Sequence, residues 1–148
     1  METIPYDKRS GKIWFNGKNV DWSETQVHVL SHGLHYASCV FEGIRVYDGE
    51  VFKLEEHTDR LFYSAKRMGM NVPYTVDEIN IATRDIVRVQ KTLNGYIRPV
   101  IWRGSEMMAI SAQKNKIKYF FLEKASAKFN SLGHKSIRSL YDLHTVKT

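Results

Sequence analysis

Two arginines and the aromatic residues near them carry the chemistry that this sequence could perform. Arg98 stands two positions after Tyr96 in Tyr96-Ile97-Arg98-Pro99, which puts a guanidinium and a phenol on one face of a strand. The pair suits a carboxylate, because a planar fork of N–H donors takes carboxylate oxygens by two parallel hydrogen bonds. Arg60 lies near the start of an expected helix, where the same fork and the positive helix end would suit a phosphate. Read alone, each has a plainer account, as a solvated surface charge or a partly exposed structural pair. Phe41, Gly43, Arg45 and Tyr47 alternate onto one strand face. Gly43 would permit close backbone approach there, and Phe41 and Tyr36, read alone, could simply belong to the core. His28, His32 and His35 would converge only along a helix, which Gly33 interrupts. No Cys or further acidic ligand has metal-site spacing beside them, so no metal is expected.

The elements that must position these residues can be read in order. Lys12–Phe15 and Lys18–Trp22 flank Asn16-Gly17, and a second hairpin turns at Asp48-Gly49; both dipeptides favour the positive φ of a tight two-residue turn. Val27–Leu30 could continue the sheet, and Ser31–Ser38 reads as a loop. Leu54, Thr58, Leu61, Ala65 and Met68 form one helical stripe, which Gly69 can end. A capping box at Thr75-Val76-Asp77-Glu78 opens a second helix with the stripe Ile79, Ala82, Ile86, Val89 and Leu93, ended by Gly95. Tyr96–Arg103 and Ile117–Leu122 are strands, and Pro99 requires that the first of them lie at an edge or pair irregularly. Strands, two helices, then strands imply an α+β fold, a mainly antiparallel sheet with two helices packed on one side.

The chain has 148 residues, 43% of them hydrophobic, enough for one domain with a core. Its single cysteine, Cys39, excludes an internal disulfide and suits a reducing cytoplasm. Neither a signal peptide nor a long apolar run is visible, so a cytoplasmic location without membrane contact is expected. The net charge of +6 is local: residues 1–113 hold 14 basic and 14 acidic side chains, and residues 114–148 hold 8 and 2. A basic tail of this kind is more often solvated than nucleic-acid-binding. Nucleic acid is therefore the weaker alternative, and a phosphate- or carboxylate-binding module is the other.

The strings His35-Tyr36, Val40-Phe41-Glu42-Gly43-Ile44-Arg45, His57 with Arg60-Leu61, and Tyr96-Ile97-Arg98-Pro99 closely resemble fold-type IV aminotransferases, above all the branched-chain amino acid aminotransferases. The resemblance covers Lys12 to Lys116 and corresponds to the family's smaller N-terminal domain. It implies a domain at 1–122 followed by a divergent basic tail at 123–148. It also implies pyridoxal 5′-phosphate as cofactor, with Arg60 on its phosphate, and Tyr36, Phe41, Gly43, Arg45, Tyr96 and Arg98 around the substrate. The implied reaction exchanges an amino group between Leu, Ile or Val and 2-oxoglutarate, in a homodimer to which the loop Gly104–Ile110 contributes. The family's cofactor lysine and the acid at the pyridine nitrogen belong to its second domain. Lys128 echoes only the small-residue context of that lysine, without the glycines that follow it. The expectation is a truncated chain that retains no cofactor and is inactive by itself.

Overall fold

The computed structural model describes residues 4–125, and for 123–125 only the backbone; Lys128 and the candidate helix at 131–143 lie outside these residues. Strands β1 (Lys12–Phe15) and β2 (Lys18–Asp21) form the first hairpin. Helix α1 (His32–Tyr36) leads to β3 (Cys39–Phe41), β4 (Ile44–Tyr47) and β5 (Glu50–Val51). Helices α2 (Leu54–Arg67) and α3 (Val76–Val89) precede the long strands β6 (Gly95–Arg103) and β7 (Ile117–Ala125). The sheet order is β2-β1-β7-β6-β4-β5, with β3 also on β6, and every pairing is antiparallel. The expected α+β architecture is the observed one, and β7 runs three residues past its expected end at Leu122.

Both expected hairpin turns form. Asn16 and Gly17 have φ of 49° and 96°, and Asp48 and Gly49 have 49° and 84°, the paired positive values of a type I′ turn. Helix α2 buries Leu54, Thr58, Leu61 and Ala65 of its expected stripe, whereas Met68, at the C-cap, is exposed; Gly69 in the left-handed region (φ 64°) follows the end of the helix. The core between helices and sheet is centred on Trp14, which stacks on Phe121 with ring centroids 5.0 Å apart and meets Tyr74 and Tyr119 edge-on.

Three local expectations are corrected. Val27–Leu30 adds no strand. Ser31–Ser38 is not wholly loop, because Gly33 lies inside α1; a Cβ there would come within 3.2 Å of the Trp102 Cβ, so its absence lets the helical turn lie against β6. Helix α3 ends at Val89, so Leu93 lies beyond it and is exposed; within the helix Ile79, Ala82 and Ile86 of the expected stripe face the core, but Asn80, Thr83 and Val87 are buried beside them and Val89 is exposed. The reason is polar: Thr58 Oγ1 of α2 donates to Asn80 Oδ1 at 2.6 Å, and this buried bond selects the face that turns inward. Lys91 (φ 52°) takes the left-handed position after α3, so Gly95 is free to open β6.

Strand β6 is not at an edge; Pro99 is accommodated by irregular pairing. β3 and β4 both pair with β6 in one continuous register, from Cys39↔Trp102 to Val46↔Gly95, and they separate at Glu42-Gly43, opposite Pro99 and Arg98. Glu42 N donates to Pro99 O at 3.1 Å, but Pro99 has no N–H to return. In an antiparallel ladder a residue directs both backbone groups to the same neighbour, so β7 loses nothing and the interruption falls wholly on the β3–β4 side.

The capping box at α3 is complete, with Glu78 N donating to Thr75 Oγ1 and Thr75 N to Glu78 Oε2. Thr75→Ala is expected to lower unfolding free energy by about 1 kcal/mol. Val89→Ala, at an exposed position, is expected to change it by less than about 0.5 kcal/mol. Urea denaturation of the two variants checks both.

Candidate functional site

The sheet has two unlike faces. Ile44, Val46, Ile97 and Ile101 point with Trp14, Tyr119 and Phe121 into the core beneath α2 and α3. On the opposite face Trp102 packs against Phe15 and Phe120 and supports α1. Farther along that face the cover is thinner, and Phe41 is 60% exposed.

Five of the seven candidate residues meet on this thinly covered face. The Arg98 guanidinium carbon lies 4.5 Å from the Phe41 ring centroid and 5.2 Å from that of Tyr96. Arg45 pairs with Tyr96 across the β4–β6 ladder, and its guanidinium carbon lies 5.3 Å from the Tyr47 ring. A Cβ on residue 43 would overlap the Tyr96 hydroxyl, so the phenol lies directly over the Gly43 backbone. Among the described residues no acidic side chain pairs with Arg98. Two aromatic rings thus hold a half-buried cation without neutralising it, which leaves its N–H groups for an incoming anion.

Tyr36 is elsewhere. It lies on α1 with its ring 4.4 Å from that of His32, and around it Val29, Leu34, Met108 and Ile110 are all exposed. His32 fastens this region. Its Nε2 donates to Ala109 O at 3.0 Å, and its Nδ1 accepts from Ser38 Oγ at 2.6 Å. His35 Nε2 donates to Val29 O, and His28 Nδ1 accepts from Leu30 N. Each of the three histidines considered for a metal therefore has a local structural bond.

Arg60 is on the helix side of the sheet. It is the seventh residue of α2 rather than a first-turn residue, so the helix end adds little potential at its position. Its guanidinium forms a two-pronged ion pair with Glu42: Nε donates to Oε1 at 2.5 Å and Nη2 to Oε2 at 2.6 Å. His57 Nδ1 lies 2.9 Å from Glu42 Oε2. The Glu42 side chain is only 9% exposed, whereas that of Arg60 is 63% exposed. The Arg60 hydrogen bonds hold the Glu42 carboxyl below the usual glutamate range, with help from His57 and against the upward push of burial. Sequence reasoning gives Glu42 and His57 no role, although a signal is present. Glu42 shares its strand face with Val40, Ile44 and Val46, and a carboxylate at a core-facing position requires a partner.

Comparisons with known proteins identify the family. Residues 39–142 match the family Amino-transferase class IV, and the chain belongs to that family. Within it, the similarity runs to branched-chain-amino-acid aminotransferases. That of Pseudomonas aeruginosa is 48% identical over 113 residues, covering 74% of this chain and 37% of the relative. The probable enzyme of Rickettsia felis is 48% identical over 111 residues, covering 75% and 38%. The crystal structure of the Escherichia coli enzyme superposes with a TM-score of 0.76 at 37% identity, over 80% of this chain and 40% of that one. The branched-chain aminotransferase of the thermophilic archaeon Thermoproteus uzoniensis, solved with norvaline, gives the same TM-score at 35% identity, over 82% of this chain and 42% of that one. This chain therefore spans about two fifths of the length of these relatives, and its sheet and two helices are those of their N-terminal domain.

The Glu42–Arg60 pair makes acid stability testable. A folded-state pKa below the unfolded value of about 4.3 gives a stabilisation that is complete above that pH. It is lost as pH falls through the lower, folded value. Glu42→Gln is expected to be less stable than the parent near neutrality and to lose less of its stability below about pH 4.3. Urea midpoints across pH measure the difference in slope.

Proposed function

We propose that the thinly covered face binds the carboxylate and apolar side chain of a branched-chain amino acid or its 2-oxo acid. The carrying observation is Arg98, ringed by Phe41 and Tyr96 with no acidic partner among the described residues. In this reading Arg98 takes the carboxylate by paired hydrogen bonds, and the Tyr96 hydroxyl over Gly43 donates a further one. Arg45 adds a second positive group beside Tyr96 and favours dicarboxylate substrates such as glutamate. Phe41 supplies apolar area for a Leu, Ile or Val side chain.

The whole reaction in which this face takes part is amino-group exchange between a branched-chain amino acid and 2-oxoglutarate, supported by family membership and by the relatives named above. Other solved branched-chain aminotransferases carry pyridoxamine 5′-phosphate or a phosphopyridoxyl amino acid. Arg60 suits the phosphate of such a group, because its guanidinium is held on one edge and open on the other. When bound, pyridoxal phosphate supplies an electron sink for the substrate's amino-bearing carbon. The 148 residues by themselves are proposed to bind carboxylates and phosphate.

A homodimer through the exposed apolar surface around α1 is part of the same proposal. Ile110 is 87% and Val29 70% exposed, areas that a second copy would cover at little polar cost. Tyr36 lies on that surface and would reach a substrate site across the interface.

Titration of the chain with 4-methyl-2-oxopentanoate, followed by NMR, tests the reading. Arg98→Ala is expected to weaken binding at least about tenfold, the loss of one charge-assisted pair of bonds. Unchanged affinity would remove Arg98 as the anchor. Borohydride reduction after addition of pyridoxal phosphate should leave no single modified lysine among these 148 residues; one site at Lys128 would make that residue the cofactor lysine. Ile110→Glu should convert a sedimenting dimer to monomer.

A further inference from the structure

The Glu42–Arg60 pair poses a question that charge alone does not answer. A buried carboxylate beside an anion-binding arginine cancels its charge and repels the anion, so Glu42 ought to hinder such a site. The pattern of the hydrogen bonds points the other way. A guanidinium has five N–H donors, and here the carboxylate occupies the side edge made by Nε and Nη2. His57 Nδ1, 3.2 Å from Nη2, gives its proton to the Glu42 carboxylate and so does not accept from the guanidinium; that leaves both Nη1 hydrogens and the outer Nη2 hydrogen, a second parallel fork directed away from Glu42. The 63% exposure of the Arg60 side chain is consistent with an open outer edge.

The clamp is itself held. Glu42 N donates to Pro99 O at 3.1 Å, so the residue is fixed to the central strand in the gap between β3 and β4. His57, one turn before Arg60 on α2, places Nδ1 2.9 Å from the same carboxylate and 3.2 Å from Arg60 Nη2. A long side chain that would otherwise sample many rotamers is thus fixed before any ligand arrives, and the ordering cost of binding is already met.

We infer that Glu42 is the positioning residue of the anion site at Arg60, locking the guanidinium by its Nε–Nη2 edge so that its outer edge is preset for a phosphate. This rests on the reading of Arg60 as a phosphate-binding residue. It adds that the site works by directed hydrogen bonds rather than by net charge, since the pair is neutral overall. The two accounts of Glu42 predict opposite signs. If it acts only through charge, Glu42→Gln tightens anion binding; if it positions Arg60, the same change weakens it.

The test is a phosphate titration of the full 148-residue chain, read by NMR and using inorganic phosphate as the probe. Arg60→Ala is expected to weaken binding at least about tenfold and Glu42→Gln about three- to tenfold. The Glu42→Gln effect should vanish in the Arg60→Ala background, which a general structural role of Glu42 would not produce. In the parent the Arg60 Nε–H resonance should be sharp and protected, and in Glu42→Gln it should broaden. Unaltered affinity in Arg60→Ala would remove the phosphate reading and this inference with it. Weakening in Arg60→Ala combined with unchanged or tighter binding in Glu42→Gln would overturn the inference alone. If Glu42→Gln does not fold, Arg60→Lys carries the test, because an ammonium has no second parallel fork. Phosphate affinity equal to the parent's in that variant overturns the inference.

Discussion

Pro99 lies in the central strand of the sheet, and because it has no N–H, the β3–β4 strand cannot run unbroken beside it. The interruption frees Glu42 and Gly43 from regular pairing, and both are put to use. Glu42 turns to the helix side and clamps Arg60. Gly43 leaves room on the other face for the Tyr96 phenol. One absent donor thus sets the geometry of two arginine sites on opposite faces of a single layer.

The two sites differ in how a cation is kept available. Arg98 is flanked by aromatic faces, which hold a guanidinium without satisfying its hydrogens. Arg60 is flanked by a carboxylate, which satisfies one edge and leaves the other. In the first the charge remains to attract a ligand; in the second the charge is cancelled and direction remains. This division matches the chemistry proposed for each, a small carboxylate on the open face and a phosphate at the helix.

Much of this is legible without the fold, and what escapes does so for physical reasons. Asn16-Gly17 and Asp48-Gly49 declare their turns because few residue pairs tolerate two positive φ values in succession. The α2 stripe and the Thr75–Glu78 box are likewise written within a few residues of where they act. The burial of Asn80 on α3 is hidden because that residue is inward only by virtue of Thr58, 22 positions earlier. Helix α1 is hidden because Gly33, a poor helix former, is favoured there by contact with Trp102. At the site, the alternation of β6 places Tyr96 and Arg98 on one face from sequence alone. The Arg60 clamp depends on a contact between a strand and a helix, and only the carboxylate among core-facing residues hints at it.

The position of β7 has a consequence for how the domain comes into being. This strand fills the slot between β1 and β6, pairing Trp14 with Phe121 and supplying Tyr119 to the core. During synthesis everything up to Arg103 can emerge from the ribosome before the strand that joins the two halves of the sheet exists. Until residue 122 has left the exit tunnel, the edges of β1 and β6 and the face of Trp14 stay uncovered. Nascent chains of that length are the ones most open to capture by a chaperone or by one another.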